Sequence, residues 1–416
     1  MSDGKKFGKG FLCGVFVTAA VTAAGLGVTR SITQHGTDEQ GLAVVEENTQ
    51  DGELHLDMDK IDGKIETIEA VINENYLNEV SEEKVEAQLY KGLVKGLEDS
   101  YAAYYTEEEL QKIQESTSGE YRGIGAKLSQ DPETGIVTVV TCFEDAPADR
   151  AGLLPGDIIY SVNDTEVTGM DLTDVVTLIK TAEGSAVHLE IVRDGEADYL
   201  GFDVERMDVS VPTVASKMLE NHIGYIAISE FDAVTVDQFS EALAELEDQG
   251  MEKLIIDLRN NLGGLLQSCC EMLRQMLPEG LIVYTEDKYG QREEYTCDGT
   301  HEFTKPLVVL VNEYSASAAE IFSGAIKDHG IGTLVGTTTF GKGIVQRIVS
   351  LKDGTAVKLT ISKYYTPKGT DIHQKGIEPD VTVELDESLK NKVTITEEED
   401  NQLQKAIEIL NAQNGE

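Results

Sequence analysis

Three stretches carry residue types that do covalent chemistry. The first is Asn312-Glu-Tyr-Ser-Ala-Ser-Ala-Ala-Glu320, which follows an apolar run and opens a helical pattern. A serine there sits beside unsatisfied backbone N–H groups at the positive end of a helix dipole. An acyl-transfer nucleophile and its oxyanion donor coincide at such a point. Serine is equally a favoured N-cap, so a capping and a nucleophilic reading both stand on this segment alone.

The second stretch is Gly336-Thr-Thr-Thr-Phe-Gly-Lys-Gly343. It resembles a phosphate-binding loop but departs from one twice. Gly343 replaces the hydroxyl residue that would hold magnesium, and Ile344–Leu351 reads as strand rather than helix. The alternative is a lysine, Lys342, held between glycines beside Phe340, where the backbone can wrap the amine and exclude water. Desolvation lowers a lysine pKa, and a neutral amine can accept a serine proton. Gln346, four residues on, shares a face with Lys342 if the segment is extended, and so is a candidate to orient the amine. A surface lysine in a flexible turn is the plain alternative. The third stretch, Lys253-Leu-Ile-Ile-Asp-Leu-Arg-Asn-Asn-Leu-Gly-Gly264, ends in two glycines after a buried strand. Gly263 can donate a second oxyanion N–H beside that of Ala318; an ordinary strand-to-helix turn is the competing reading. Of seven histidines, His329 and His373 are the rivals for a Ser-His-Asp triad, which is defined by geometry rather than order. No histidine or cysteine falls at metal-ligand spacing, so no metal and no cofactor are expected.

The elements that must position these residues follow from periodicity. Ile61, Ile65, Ile68, Val71 and Ile72, then Val85, Leu89, Leu93 and Leu97, recur at helical spacing. Ser81 and Thr106 are helix starts. The two stripes suit packing on this chain's own body or on a second subunit. From Gly119 the pattern changes to short alternating strands, with a helix over 171–180 and an end near Arg206. Beyond it, strands at Ile223–Ile228, 254–258 and Leu307–Val311 alternate with helices at 234–249, 265–276 and 316–327, which argues a βαβ sheet. Residues 397–410 read as a final helix.

The chain has 416 residues, enough for two or three domains. Acids outnumber bases by 76 to 34, a net charge of −42 that repels nucleic acid and anionic lipid surfaces. Lys5, Lys6 and Lys9 precede the uncharged run 11–28. Positive charge before such a run predicts a cytoplasmic N-terminus and an exported remainder. A retained single-pass membrane anchor is favoured over a cleaved signal peptide.

Seven strings in one order resemble the C-terminal processing peptidases, also called tail-specific proteases. They are Asp99-Ser-Tyr-Ala-Ala-Tyr-Tyr, Arg122-Gly-Ile-Gly-Ala, Ala151-Gly-Leu-Leu-Pro-Gly-Asp-Ile-Ile, Asp257-Leu-Arg-Asn-Asn-Leu-Gly-Gly, Ser315-Ala-Ser-Ala-Ala-Glu, Phe340-Gly-Lys-Gly, and Tyr365-Thr-Pro-Lys-Gly through Gly376-Ile-Glu-Pro-Asp. The resemblance implies an endopeptidase with Ser317 as nucleophile, Lys342 as base and Gln346 in support. It also implies a PDZ module whose Arg122-Gly123-Ile124-Gly125 loop captures the carboxylate of an apolar substrate tail by strand addition. Relatives of this kind assemble as homodimers through terminal helices. Two departures stand out: Ala319 where a serine is common, and Leu262 where a proline usually precedes the glycines.

The expected fold is α+β and multidomain, with a helical N-terminal arm and a PDZ-like β module before a βαβ-rich protease core. Its expected parts are an anchor (1–30), a linker (31–58), a helical region (59–118), the PDZ-like module (119–206), the core (207–395) and a C-terminal helix (396–416).

Overall fold

The computed structural model describes residues 54–390, 392 and 394–412. The expected anchor at 11–28 and most of the linker lie outside the described residues. Among the described residues, no helix is long and apolar enough to cross a membrane. The chain divides into two compact units, one ending at Gly96 and the other beginning at Leu97.

The first unit holds two helices, α1 (Met58–Asn75) and α2 (Glu82–Lys95). Ser81 starts α2, its Oγ accepting from Lys84 N at 3.3 Å. The apolar stripe of α1 (Ile65, Ile68, Val71) and that of α2 (Val85, Leu89, Leu93) stay exposed on the single chain.

The second unit opens with the short strand β1 (Ala103–Tyr105) and the helix α3 (Glu107–Ser118). Thr106 Oγ1 accepts from Glu109 N at 3.3 Å while Glu109 returns a bond to Thr106 N at 3.1 Å. This reciprocal cap fixes where the helix begins. Strand β2 (Glu120–Gly123) leaves the helix through Gly119, whose φ of +71° suits glycine. Strands β3 (Ala126–Gln130), β4 (Val137–Cys142) and β5 (Ile158–Val162), helix α4 (Leu172–Thr181), and strands β6 (Ala186–Val192) and β7 (Leu200–Glu205) then form an antiparallel module. Its sheet order is β3-β4-β5-β6-β7. It has its own core, including Val139, Ile159, Val175, Val187, Leu189 and Val204. Strand β8 (Met207–Ser210) returns to pair with β2, so the module enters and leaves on one two-stranded ribbon.

The largest core surrounds a six-stranded sheet. Strand β9 (Val214–Leu219) pairs antiparallel with β10 (Ile223–Ile228), which runs parallel to β11 (Lys253–Asp257). Between them lies α5 (Thr235–Asp248), and α6 (Leu266–Leu273) follows β11. A hairpin of β12 (Gly280–Asp287) and β13 (Arg292–Cys297) precedes β14 (Leu307–Val311), α7 (Ala318–His329) and β15 (Thr333–Gly336). A second antiparallel pair, β16 (Ile344–Ser350) and β17 (Ala356–Tyr365), joins that hairpin in a separate sheet, to which β1 adds. Strand β18 (Val381–Thr382) completes the parallel sheet, and α8 (Asn401–Ala412) covers its far face.

Strands β11 and β14 read as unbroken apolar runs because both their faces are covered. Leu254, Ile256, Leu307, Val309 and Val311 face the core with α5, α6 and α7, while Ile255, Val308 and Leu310 pack with Leu403, Ala406 and Leu410 of α8. Side chains alternate along a strand, so each contributes to two cores. At the end of β11, the half-buried Arg259 guanidinium bridges Asp257, at 2.6 Å, and Asp400, at 2.8 Å. This clamps the start of α8 beside the turn that carries Gly263.

Candidate active site

Helix α7 begins two residues later than its apolar pattern suggests, because Ser317 is not helical: its φ is 56° and its ψ is −115°. A non-glycine residue held there costs on the order of 1–3 kcal/mol, so the surroundings must enforce it. They do so from both sides. Ser315 Oγ donates to Leu258 O at 2.8 Å and accepts from Asn312 N at 2.9 Å. Ala316 N donates to Asn261 O at 2.9 Å, and Phe340 N to Ser315 O at 3.0 Å. The two serines of the motif therefore differ. Ser315 spends its hydroxyl on the turn, whereas Ser317 stands at the strained elbow with the Ala318 amide first in the helix.

One turn into α7, Glu320 is fully buried and takes four donors. Oε2 accepts from Ser317 N at 2.9 Å and Lys342 N at 2.8 Å; Oε1 accepts from Thr339 Oγ1 at 2.6 Å and Gly341 N at 2.7 Å. Burial pushes its carboxyl above the usual range, and these donors hold it part of the way down. A single carboxylate thus ties the backbone of the serine to the backbone of the lysine.

Lys342 is 4% exposed. The glycines beside it make room for backbone rather than for water. A Cβ at Gly341 would lie 2.9 Å from Lys375 N, and one at Gly343 would lie 2.6 Å from His373 N. The loop from Ile372 to Ile377 packs into that space, with Gln374 N donating to Gly341 O at 2.7 Å and Ile377 N to Thr339 Oγ1 at 2.7 Å. The buried Tyr364 hydroxyl donates to Lys342 O and interacts with the Ser317 side chain. Burial lowers the lysine pKa from 10.5 to about 8; nearby Lys358 pushes it the same way and Glu320 opposes them. The amine makes no hydrogen bond among the described residues and lies 4.8 Å from the centre of the Tyr101 ring.

Three expectations are modified. The orienting bond from Gln346 to the amine is not made: Gln346 is fully buried and its Nε2 donates to Ile344 O at 3.5 Å. Parity counted from Lys342 fails because the strand starts only at Ile344 and bulges between Val345 and Gln346. Gly263, at φ +107°, does lie against the serine, since a Cβ there would be 2.8 Å from Ser317 Cβ and 3.0 Å from Ala318 N. Its N–H, however, donates to Asn261 Oδ1 at 2.8 Å, a local side-chain bond that spacing does not reveal. Of the rival histidines, His329 lies at the far end of α7, ~18 Å from Ser317 at ~1.5 Å per residue, and its ring meets Leu281 O at 2.7 Å. His373 stays beside Gly343.

In the β module, Arg122 is exposed on β2, and Gly123, Ile124 and Gly125 are buried. The Ile124 side chain belongs to the module's core, and its carbonyl accepts from Ala148 N at 2.8 Å. The Tyr121 ring lies over Gly123, and its hydroxyl faces the Gly125 N–H. The Lys180 ammonium stands 5.1 Å from the same ring and 3.0 Å from Glu115.

Sequence reasoning alone missed Glu320, Tyr364, Tyr101 and Asn261. The acid three residues after the serine was the available signal, since a capping pair has that spacing.

A buried lysine tied through one carboxylate to the backbone of a strained serine is an arrangement that suits acyl transfer. Known proteins similar to this chain give the class, a serine-type peptidase. Residues 222–383 match Peptidase family S41, and residues 139–193 match a PDZ domain. The carboxy-terminal processing protease CtpB of Bacillus subtilis is 35% identical over 374 residues, 89% of this chain and 77% of that protein. The carboxyl-terminal-processing protease of Synechocystis sp. is 36% identical over 318 residues, 76% of this chain and 74% of that one. Among solved structures, a photosystem II D1 C-terminal processing protease is 32% identical, with 71% of this chain and 80% of that chain covered and a TM-score of 0.45. The chain belongs to the carboxy-terminal processing proteases, PDZ-bearing serine-type peptidases of family S41.

Proposed function

We propose that this enzyme cuts exported polypeptides near their C-termini with Ser317 as nucleophile and Lys342 as general base. The observation that carries this reading is Glu320, which joins the strained serine to a buried lysine of lowered pKa. Lys342 takes the Ser317 proton as Oγ attacks the scissile carbonyl. The Ala318 N–H receives the oxyanion, and the Gly263 N–H joins it on leaving Asn261. The ammonium then protonates the departing amine, and a water activated by the regenerated amine releases the acyl group. Gln346, buried on β16 just past its bulge, supports the amine by turning its side chain toward it.

The module over 119–206 holds the substrate tail along the free edge of β3, with the carboxylate at Gly123-Ile124-Gly125 and Arg122 at the rim. The core over 207–395 then does the cutting. The exposed stripes of α1 and α2 support a homodimer, and the basic start followed by the uncharged run 11–28 supports a single-pass anchor with the catalytic part outside the cytoplasm.

The test is cleavage of an unfolded protein ending in apolar residues by the full chain and its Ser317→Ala and Lys342→Ala variants. Both variants should be folded and inactive. Loss in Ser317→Ala alone would move the base to His373, and an inert wild type that still binds tails would make the chain an adaptor.

A further inference from the structure

We infer that Tyr101 is a positioning residue for the reaction: its ring face is the seat on which the Lys342 ammonium rests once the serine proton has been taken. This rests on the reading of Lys342 as the base.

A lysine that serves as a base must pass through its charged form, and a buried ammonium without a partner is strongly disfavoured. The amine has no hydrogen-bond partner among the described residues. The charged and titratable groups around it are few. Glu320 attracts the ammonium, but its two oxygens are already occupied by four donors. Lys358 on β17 repels it. Tyr364 directs its hydroxyl to the Lys342 carbonyl rather than to the amine. His373 meets the loop through Gly343. The remaining group is the Tyr101 ring, centred 4.8 Å from Nζ, inside the ~6 Å range over which an aromatic face attracts a cation.

The ring is delivered there by the fold. Tyr101 N donates to Asp99 Oδ1 at 2.9 Å, which shapes the turn, and β1 then pairs Ala103 with Lys358 on the strand that also carries Tyr364. Burial, with Asp99 and Glu320, keeps the Tyr101 phenol protonated, so the group offers a neutral face and not a phenolate. The face stabilises the ammonium more than the amine. It therefore favours the state formed during acylation, which is the requirement for acceleration.

The experiment is a pH–rate profile of the full chain on a substrate with an apolar tail, for wild type, Tyr101→Leu, Tyr101→Phe and Lys342→Ala. Tyr101→Leu keeps apolar bulk but loses the π face. Its kcat should fall about 2- to 30-fold with KM held, and its acid limb should move down by about 0.4 to 1.5 pH units. Tyr101→Phe should restore both. A limb that stays put or rises in the leucine variant, or a phenylalanine variant that fails to restore it, overturns the inference. Replacing the ring with phenylalanines of increasing fluorine content weakens the face without changing its shape. In that series log kcat should fall steadily, and a flat series also overturns the inference. If Lys342→Ala remains active, it is the dyad itself that fails; if that variant is dead while the Tyr101 series is flat, only the role of Tyr101 fails.

Discussion

Removing the amine of Lys342 should make the protein inactive and more stable. Its folded pKa of about 8 lies below the ordinary 10.5, with burial as the main cause. The charged form is thus penalised in the folded state. That penalty is full below about 8 and gone above 10.5. The difference of about 2.5 pH units, at about 1.36 kcal/mol each, is about 3 kcal/mol. Lys342→Met keeps the length of the side chain and drops the charge, so at pH 7 it should gain up to about 3 kcal/mol. The gain should shrink as pH rises from 8 and vanish by 10.5. Urea unfolding followed by tyrosine fluorescence suits a chain with 15 tyrosines and no tryptophan. A variant whose advantage is absent at pH 7, or is the same at pH 7 and pH 10.5, would refute the claim that desolvation sets the lysine pKa.

Three further outcomes follow from single contacts. Glu320→Gln replaces one acceptor oxygen with a donor, so two of the four N–H or O–H groups lose their partner; at about 1–3 kcal/mol each this should lower both the melting temperature and kcat. A variant with wild-type melting and turnover would remove Glu320 from the site. Gly263→Ala puts a Cβ 2.8 Å from Ala316 O at a φ of +107°, and kcat should fall by roughly 100-fold or more; undiminished turnover would show that this turn does not shape the oxyanion site. Tyr121→Phe removes the hydroxyl that faces the Gly125 N–H, and should tighten binding of a tail peptide by about 2- to 10-fold, read by fluorescence anisotropy in the Ser317→Ala background. Weaker binding would instead make that hydroxyl part of the tail site.

The parallel core was legible because strands covered on both faces admit no polar alternation, as Leu307–Val311 shows. The hairpin Gly280–Cys297 carried no such signal: Arg292, Glu293 and Glu294 are exposed, and its register is set by the neighbouring strand β17. Ser317 and Lys342 were named from residue type and motif, but the Glu320 carboxylate that joins their backbones was not. Glu320 in a first helical turn has an ordinary explanation in the helix dipole, and that explanation hides its four contacts. Tyr101 was hidden for a different reason. Only the pairing of β1 with β17 brings it to the amine, and that pairing joins segments at opposite ends of the unit. The late start of α7 is a third case, since helical periodicity includes Ala316 while the strained Ser317 backbone excludes it.

The loop from Ile372 to Ile377, which fills the space left by Gly341 and Gly343, is among the last parts of the core to be synthesised. A ribosome delivers Ser317 first, then Lys342, and only afterwards the segment that walls the lysine off from water. Until that segment docks, the amine is hydrated like that of an ordinary lysine, and the proposed dyad has no base. If the proposed dyad does the cutting, a chain still being made is chemically silent. On the proposed dyad, cutting begins only once this loop has docked, so the order of synthesis itself delays it.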